Sequence, residues 1–418
     1  MKAARYLAFI TVTAILAAPC IAAARGHSSK HAASQPATQA PPLTPLTTPW
    51  LQGVTTNSIY VLYEAPDKTP AADVDYGLTD KYGSTASAES TQATGEGKGA
   101  VHNVKLSALT PNTLYHYRVR WKETTTADYT FRTAPLPGTP ARWVVTGDMH
   151  YNPDPKVHDG VLKAIEAVQP GMAATTGDLI TAGTGYGEWR QGWFTPGQCK
   201  IMTTMPWIEA IGNHEYQEPS HSRGRAFRAW VFEQAPDGVD DGYFSFDYGD
   251  AHIVVLMYNM AIPFGPNDPQ WKWIKEDLAA TKQKWKFLLM HHPAYSYGGH
   301  NGNKPRIRLT SEVLEPAGVD FVITGHQHFY QNVQVNGIYH IVTNCSGGMR
   351  PPQGVPSGQP GKITAMERAY SFVQIDTTPD KVVVTARRID GSVIETITKT
   401  KNGVSSTTKP APAAAMAK

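Results

Sequence analysis

Short apolar runs alternate with polar, turn-forming clusters along most of this 418-residue chain, and the period of the alternation changes near residue 140. Between Trp50 and Thr133 the period is two. Residues 58–63, 101–106 and 115–120 place every second side chain on one face, and Gly, Asp, Asn and Pro clusters separate them. This pattern predicts short strands in an antiparallel sandwich. From Arg142 onward the runs become nearly continuous, at 142–146, 172–176, 207–211, 252–256 and 285–290, and read as buried strands. Helical spacing appears between them, with Val157, Val161, Leu162 and Ile165 following Pro155, and Trp271, Ile274 and Leu278 on one face further on. Strands alternating with helices predict a layered α/β (α+β) architecture rather than a helical bundle. Further strands at 339–342, 370–375, 382–387 and 393–397 are expected to complete a second sheet.

The two ends of the chain have a different character. Lys2 and Arg5 precede an apolar core at 6–18 and the small residues Ala22, Ala23 and Ala24, the layout of a secretory signal over 1–24. The core is too short for a stable membrane span, so export without a transmembrane anchor is expected. Pro19 argues against lipid attachment at Cys20. Residues 25–49 are rich in Ala, Ser, Thr, Gln and Pro with little to bury, and read as a flexible linker; residues 401–418 read as a disordered tail. Loss of Cys20 with the signal would leave Cys199 and Cys345 in an oxidising compartment, either as one disulfide or as two separate buried thiols.

Composition narrows the function classes. The length suits two or three domains with a sizeable core. A formal charge of +3 and a charged fraction of 17%, without a lysine or arginine run, exclude a nucleic-acid tract as the basis of function. The pattern does not specify an oligomeric state.

Five short motifs carry the candidate chemistry: Gly147-Asp148-Met149-His150, Gly177-Asp178, Gly212-Asn213-His214-Glu215, His291-His292-Pro293 and Gly325-His326-Gln327-His328. Any one alone is an ordinary surface sequence. Each, however, follows a predicted buried strand, which would put all five at strand ends along one rim of a sheet. Of 15 histidines, His150, His214, His291, His292, His300, His326 and His328 fall in or near these motifs. The set reads as the parts of one dinuclear metal site. Its carboxylate, carboxamide and imidazole donors, without thiolate, suit iron, zinc or manganese.

This motif set resembles that of the calcineurin-like metallophosphoesterase superfamily, over roughly residues 46–400. Within it the chain is most similar to purple acid phosphatase-like proteins, because residues 109–119 resemble a fibronectin type III-like run and 291–295 resemble a segment of those enzymes. The resemblance implies a four-layer αββα metallophosphoesterase sandwich at 141–400, preceded by an all-β fibronectin type III-like sandwich domain at 50–136. Carried over residue by residue, it implies one metal ion on Asp148, His150, Asp178 and His328, and a second on Asp178, Asn213, His291 and His326, with Asp178 bridging. Two carboxylates against two such cations leave the site net positive, which favours a phosphate dianion and metal-activated hydroxide attack on phosphorus. His214 is expected to face the phosphoryl or leaving-group oxygen, Glu215 to orient a neighbouring group, and His300 to contact phosphate or to be an ordinary loop residue. His292 is assigned to packing, and Arg306 and Arg308 to solvated loop positions. The stretches 183–195, with Tyr186, Trp189 and Trp193, and 344–358 are candidate pocket walls, although the aromatics fit packing equally well.

Two departures from the purple enzymes bear on the expectation. Thr181 stands where they carry an iron-binding tyrosine, and His150 where they carry glycine. An enzyme without a tyrosinate absorption band is expected. The leading expectation is an exported phosphatase of phosphomonoesters acting on a small phosphate-ester substrate. The alternatives are a phosphodiesterase of the same superfamily, in which D-x-H is common, and a non-catalytic surface binding protein that has kept the fold.

Overall fold

The computed structural model describes residues 47–66, 68–94, 99–121, 124–150, 154–181, 186–215, 242–257, 264–298, 304–352, 360–403 and 405–409. The expected signal peptide, nearly all of the expected linker, His300 and the last residues of the expected tail lie outside them.

The first domain consists of strands β1 (Trp50–Gln52), β2 (Ile59–Pro66), β3 (Asp73–Gly77), β4 (Ser84–Ser87), β5 (Ser90–Ala93), β6 (Gly99–Leu106), β7 (Leu114–Trp121), β8 (Thr124–Thr125) and β9 (Tyr129–Arg132). One sheet runs β1-β2-β6-β5, the other β4-β3-β7-β8 with β9 also paired to β7. Strand β7 shows the cause of the arrangement: Tyr115, Tyr117, Val119 and Trp121 are buried, while the residues between them are partly exposed. A period of two thus gives each sheet one face for the core.

The second domain stacks two seven-stranded sheets. In the first, β10 (Ala141–Thr146), β11 (Ala173–Thr175) and β12 (Trp207–Glu209) run parallel, and β20 (Ser371–Thr377), β21 (Lys381–Arg388), β22 (Val393–Thr400) and β23 (Ser405–Thr408) extend the other side of β10. In the second, the order is β13 (Phe244–Tyr248), β14 (Ala251–Val255), β15 (Trp285–Leu289), β16 (Phe321–Thr324), β18 (Ile338–Val342), β17 (Tyr330–Val335) and β19 (Lys362–Glu367). Alternate residues of each central strand face opposite layers. Trp143, Val145, Val373 and Ile375 meet Ile253, Phe287, Leu289 and Phe321 between the sheets, with the Trp143 and Phe287 rings in edge contact at 5.0 Å. Val144, Ala173 and Trp207 point outward against helices α1 (Pro155–Val168), α2 (Tyr186–Gly192) and α3 (Pro196–Met202). Val254, Leu288 and Val322 do the same against α4 (Pro269–Ala280) and the turn that follows α5 (Lys304–Leu309). The layers are therefore αββα.

Helix α1 begins where Asp154 accepts a hydrogen bond from the Lys156 amide ahead of Pro155, and α4 where Asp268 does so from Gln270 ahead of Pro269. Both are side-chain caps followed by a proline that has no amide to satisfy.

Three expectations need correction, and one open alternative is decided. Of the strands expected to complete a second sheet, the one at 339–342 does so, since β18 joins β16, whereas β20, β21 and β22 build outward from β10 in the first sheet. Apolar content marks a strand as buried but does not choose its neighbour. The motifs lie along two sheets rather than one rim. Residues 405–408 are not disordered but pair with β22, because an edge strand of Ser and Thr requires little apolar burial. Cys199 and Cys345 are buried, unbridged thiols.

Candidate metal centre

Five loops meet where the parallel strands end. Asp148 follows β10, Asp178 follows β11 and Asn213 follows β12 in one sheet, and His291 follows β15 and His326 follows β16 in the other. Turning from strand end into the site requires unusual backbone. Asp148, Asp178, His326 and His328 all have positive φ, at 51°, 57°, 72° and 57°. A non-glycine residue there costs about 1–3 kcal/mol, and such strain persists only where the surroundings over-determine it. Here they do: Asp148 accepts the His326 amide on both carboxylate oxygens, at 2.9 and 2.8 Å, and its own amide donates to the Gly177 carbonyl at 3.1 Å.

The motif glycines make this close approach possible. A Cβ on Gly212 would lie 2.2 Å from Asp178 Oδ1, and one on Gly325 would lie 2.5 Å from Asp148 Oδ2. Both distances are far inside van der Waals contact.

Two groups of donor atoms result. Asp148, His150, Asp178 and His328 are all buried and place ligand atoms within 4.8 Å of one another. His150 Nε2 lies 3.2 Å from His328 Nε2, which lies 3.3 Å from Asp148 Oδ1. The second group centres on His291 Nε2, with Asp178 Oδ2 at 3.0 Å, Asn213 Oδ1 at 3.0 Å and His326 Nδ1 at 3.2 Å. Asp178 thus lies between the two.

The tautomers explain why a cation fits. His291 Nδ1 is 2.9 Å from the Thr176 carbonyl and His328 Nδ1 is 2.7 Å from the Gly348 carbonyl, and a carbonyl can only accept, so each Nδ1 carries a proton. Both Nε2 atoms then face carboxylate or amide oxygens. Lone pairs converging at about 3 Å repel unless a proton or a metal ion lies between them. The charge states agree. Burial would lower the His291 pKa, yet the Asp178 carboxylate pushes it up to about 9. Burial would raise Asp178, yet His291 and the His214 amide hold it well below the usual carboxylate range. His150 is held down to about 4 by burial, against the pull of Asp148 and Asp178, so its ring is neutral near pH 7 and free to bind a metal ion. The donor set, in its two clusters, fits divalent metal ions.

His214 stands beside the groups rather than in them. Its ring stacks on His150 at 4.7 Å, its Nε2 is 3.8 Å from Asp178 Oδ2, and its Nδ1 donates to the Thr181 carbonyl at 2.6 Å. The side chain is about a quarter exposed. Glu215 contacts backbone instead of donors. Its carboxylate accepts from the amides of Asp178, Leu179, Ile180 and Gly212, at 2.9, 2.7, 3.4 and 2.7 Å, and so joins the loops after β11 and β12.

His292 is buried against the His326 ring at 4.2 Å, as packing predicts, but its donor atom also lies within 4.8 Å of those of His291 and His326. Arg306 is not a solvated loop residue: it is buried on α5 and its Nε donates to the Pro293 carbonyl at 2.8 Å, beneath the histidine pair. Arg308 is exposed and pairs with Glu312. Tyr186, Trp189 and Trp193 are buried core. The sequence reading did not find the carbonyls of Thr176, Thr181 and Gly348, since main-chain acceptors leave no residue signature. Nor did it single out Arg350, whose amide donates to the His328 carbonyl at 3.1 Å and whose charge acts on His328.

Comparison with known proteins gives the same outline. Residues 141–330 match the calcineurin-like phosphoesterase family and residues 47–133 match the purple acid phosphatase N-terminal domain. The chain is 29% identical over 287 residues to purple acid phosphatase 21 of Arabidopsis thaliana, covering 65% of this chain and 62% of the relative. It is 28% identical over 280 residues to a phosphoenolpyruvate phosphatase of Allium cepa, covering 61% and 54%. The chain therefore spans between half and two thirds of the length of these relatives. A solved structure of PhoD shares the fold, with a TM-score of 0.68, 12% identity, and 90% and 94% of the two chains covered.

Proposed function

Because the chain carries a calcineurin-like metallophosphoesterase domain behind a purple acid phosphatase N-terminal domain, we propose that it is a dinuclear-metal phosphatase hydrolysing small phosphomonoesters. The observation that carries this reading is the pair of donor groups sharing Asp178. One ion would be held by Asp148, His150, Asp178 and His328, the other by Asp178, Asn213, His291 and His326. Two ions so held would supply Lewis acidity and would activate water for attack on phosphorus.

The protein's own residues do the rest. Asp148 and Asp178 are the only carboxylates in the two groups, so the loaded site stays positive and attracts a phosphate dianion. His214 has one nitrogen tied to Thr181, and its Nε2 can hold a proton for the departing oxygen. Glu215 fixes the loops that carry Asp178 and Asn213. The N-terminal pattern of Lys2, Arg5 and the apolar 6–18 core supports export to the periplasm or medium as part of the same proposal.

A second reading, phosphodiesterase, is favoured by His150, the residue that makes the first motif D-x-H. Paired rates on a phosphomonoester and the matching diester, with Asp178→Asn as control, separate the two. Faster monoester turnover that collapses in the mutant supports the phosphatase. Faster diester turnover moves the protein to the second reading, and no turnover of either ester defeats both in favour of a surface binding protein.

A further inference from the structure

The first domain reaches the metal-site loops through buried polar groups. Glu64 on β2 is fully buried, where a carboxylate is costly unless paired. Its partner is Arg190 of α2, whose Nε lies 3.1 and 3.3 Å from the two carboxylate oxygens and whose terminal nitrogen also contacts Oε1. The guanidinium sits 5.1 Å from the Tyr186 ring on the same helix. The pair fits because residue 99 is glycine: a Cβ there would lie 2.4 Å from Glu64 Oε1 and 3.1 Å from the Arg190 terminal nitrogen.

Helix α2 in turn packs on the loop after β11. The Cβ position of Gly192 lies 3.4 Å from Ile180 Cγ2, and Ile180, Tyr186, Trp189 and Trp193 share one buried cluster. The Ile180 amide donates to Glu215, and the next carbonyl, that of Thr181, holds the His214 ring. A second tie runs beside the first. Gln52 Nε2 on β1 donates to Glu209 Oε2 at 3.4 Å, and Glu209 ends the strand that leads to Asn213 and His214.

We propose that Glu64 of the N-terminal domain is a positioning residue for His214 and the Asp178 loop, acting through Arg190 and the packing of α2 on Ile180. The N-terminal domain thereby becomes part of the catalytic machinery without touching substrate. Only the kinetic arm of the test rests on the phosphatase reading.

The test compares full-length wild type, Glu64→Gln, Arg190→Lys and the double variant by hydrogen-exchange mass spectrometry, together with kcat and KM on a phosphomonoester. Arg190→Lys keeps the charge but loses the two-pronged geometry, so it serves if Glu64→Gln does not fold. The expected result is faster amide exchange, by about tenfold or more, in residues 178–181 and 212–215. A fall in kcat of about 5- to 10-fold with KM within about twofold should accompany it, since a displaced His214 affects the chemical step. The double variant should lose no more than the worse single one, because the two residues act as one unit. Exchange that rises only in 60–66 and 186–192, or a lowered melting temperature with unchanged kcat, overturns the proposal and leaves the pair a structural contact. If wild type turns over no ester, the proposed function fails while the exchange comparison still decides this inference.

Discussion

The Nε2 atom of His291 lies 3.0 Å from Asp178 Oδ2, and the opposite nitrogen of the same ring is tied to the Thr176 carbonyl at 2.9 Å. The imidazole is held so that Nε2 meets the carboxylate, and each side chain perturbs the ionisation of the other. Replacing Asp178 with Asn removes half of the site's carboxylate charge and the group shared by both donor sets. Bound metal, measured by plasma mass spectrometry, should fall from two ions to one or none, with turnover reduced by more than about 100-fold. Two ions retained at full activity would show that Asp178 does not bridge.

Glu215 gives a different outcome. Its carboxylate accepts the amides of Asp178, Leu179, Ile180 and Gly212, and a glutamine turns an NH2 group toward some of these donors. Leaving buried amides unsatisfied costs about 1–3 kcal/mol each. Glu215→Gln should lower stability by about 2–4 kcal/mol in denaturant titration and weaken metal binding about 10- to 100-fold. An unchanged unfolding midpoint would remove Glu215 from this role.

Glycine at 212 is a steric requirement. A Cβ there would lie 2.2 Å from Asp178 Oδ1 and 2.4 Å from the Asp178 amide nitrogen, so one of the two loops must move. Gly212→Ala should fold with a melting temperature several degrees lower, by about 4 °C or more, and should bind metal about tenfold more weakly. A control at Gly138, whose Cβ position is open but whose φ is +90°, should show the stability loss without the metal defect.

The pH dependence of stability should report a group far from the site. His252 is clamped between Asp247 at 2.7 Å and Asp277 at 2.9 Å; burial alone would lower its pKa, but the two carboxylates push it up to about 9. The folded state therefore keeps a proton that the unfolded chain releases near pH 6.5. Stability from this group is fully present below about pH 6.5, declines as pH rises toward 9 and is absent above it, with a total of about 3 kcal/mol. His252→Gln should flatten the stability curve between these limits. A curve with the wild-type slope in the variant would assign the effect to other groups.

The iron-loaded protein should lack a strong tyrosinate band, because position 181 is threonine and His150 lies with Asp148, Asp178 and His328 instead. An intense visible band that survives His150→Ala and disappears on mutating a tyrosine would contradict this.

Much of this protein was legible before folding was considered. The change of period near residue 140 separates a sandwich from a layered domain because sheets with one buried face alternate, while strands covered on both faces are apolar throughout. The candidate site residues were legible for a related reason. Glycine followed by Asp, Asn or His after a buried strand is a chemically narrow combination, and the structure brings together Asp148, His150, Asp178, Asn213, His291, His326 and His328.

What tertiary structure alone decided is partnership. Strand composition could not send β18 to one sheet and β20 to the other, because each presents the same apolar faces to either neighbour. Cys199 and Cys345 stay separate thiols although the chemistry allowed a bridge. Main-chain carbonyls set the histidine tautomers, and a carbonyl is identical at every residue. The tie between Glu64 and Arg190 spans 126 positions and two domains. Neither residue is unusual in its local sequence, and only burial of the pair gives it meaning.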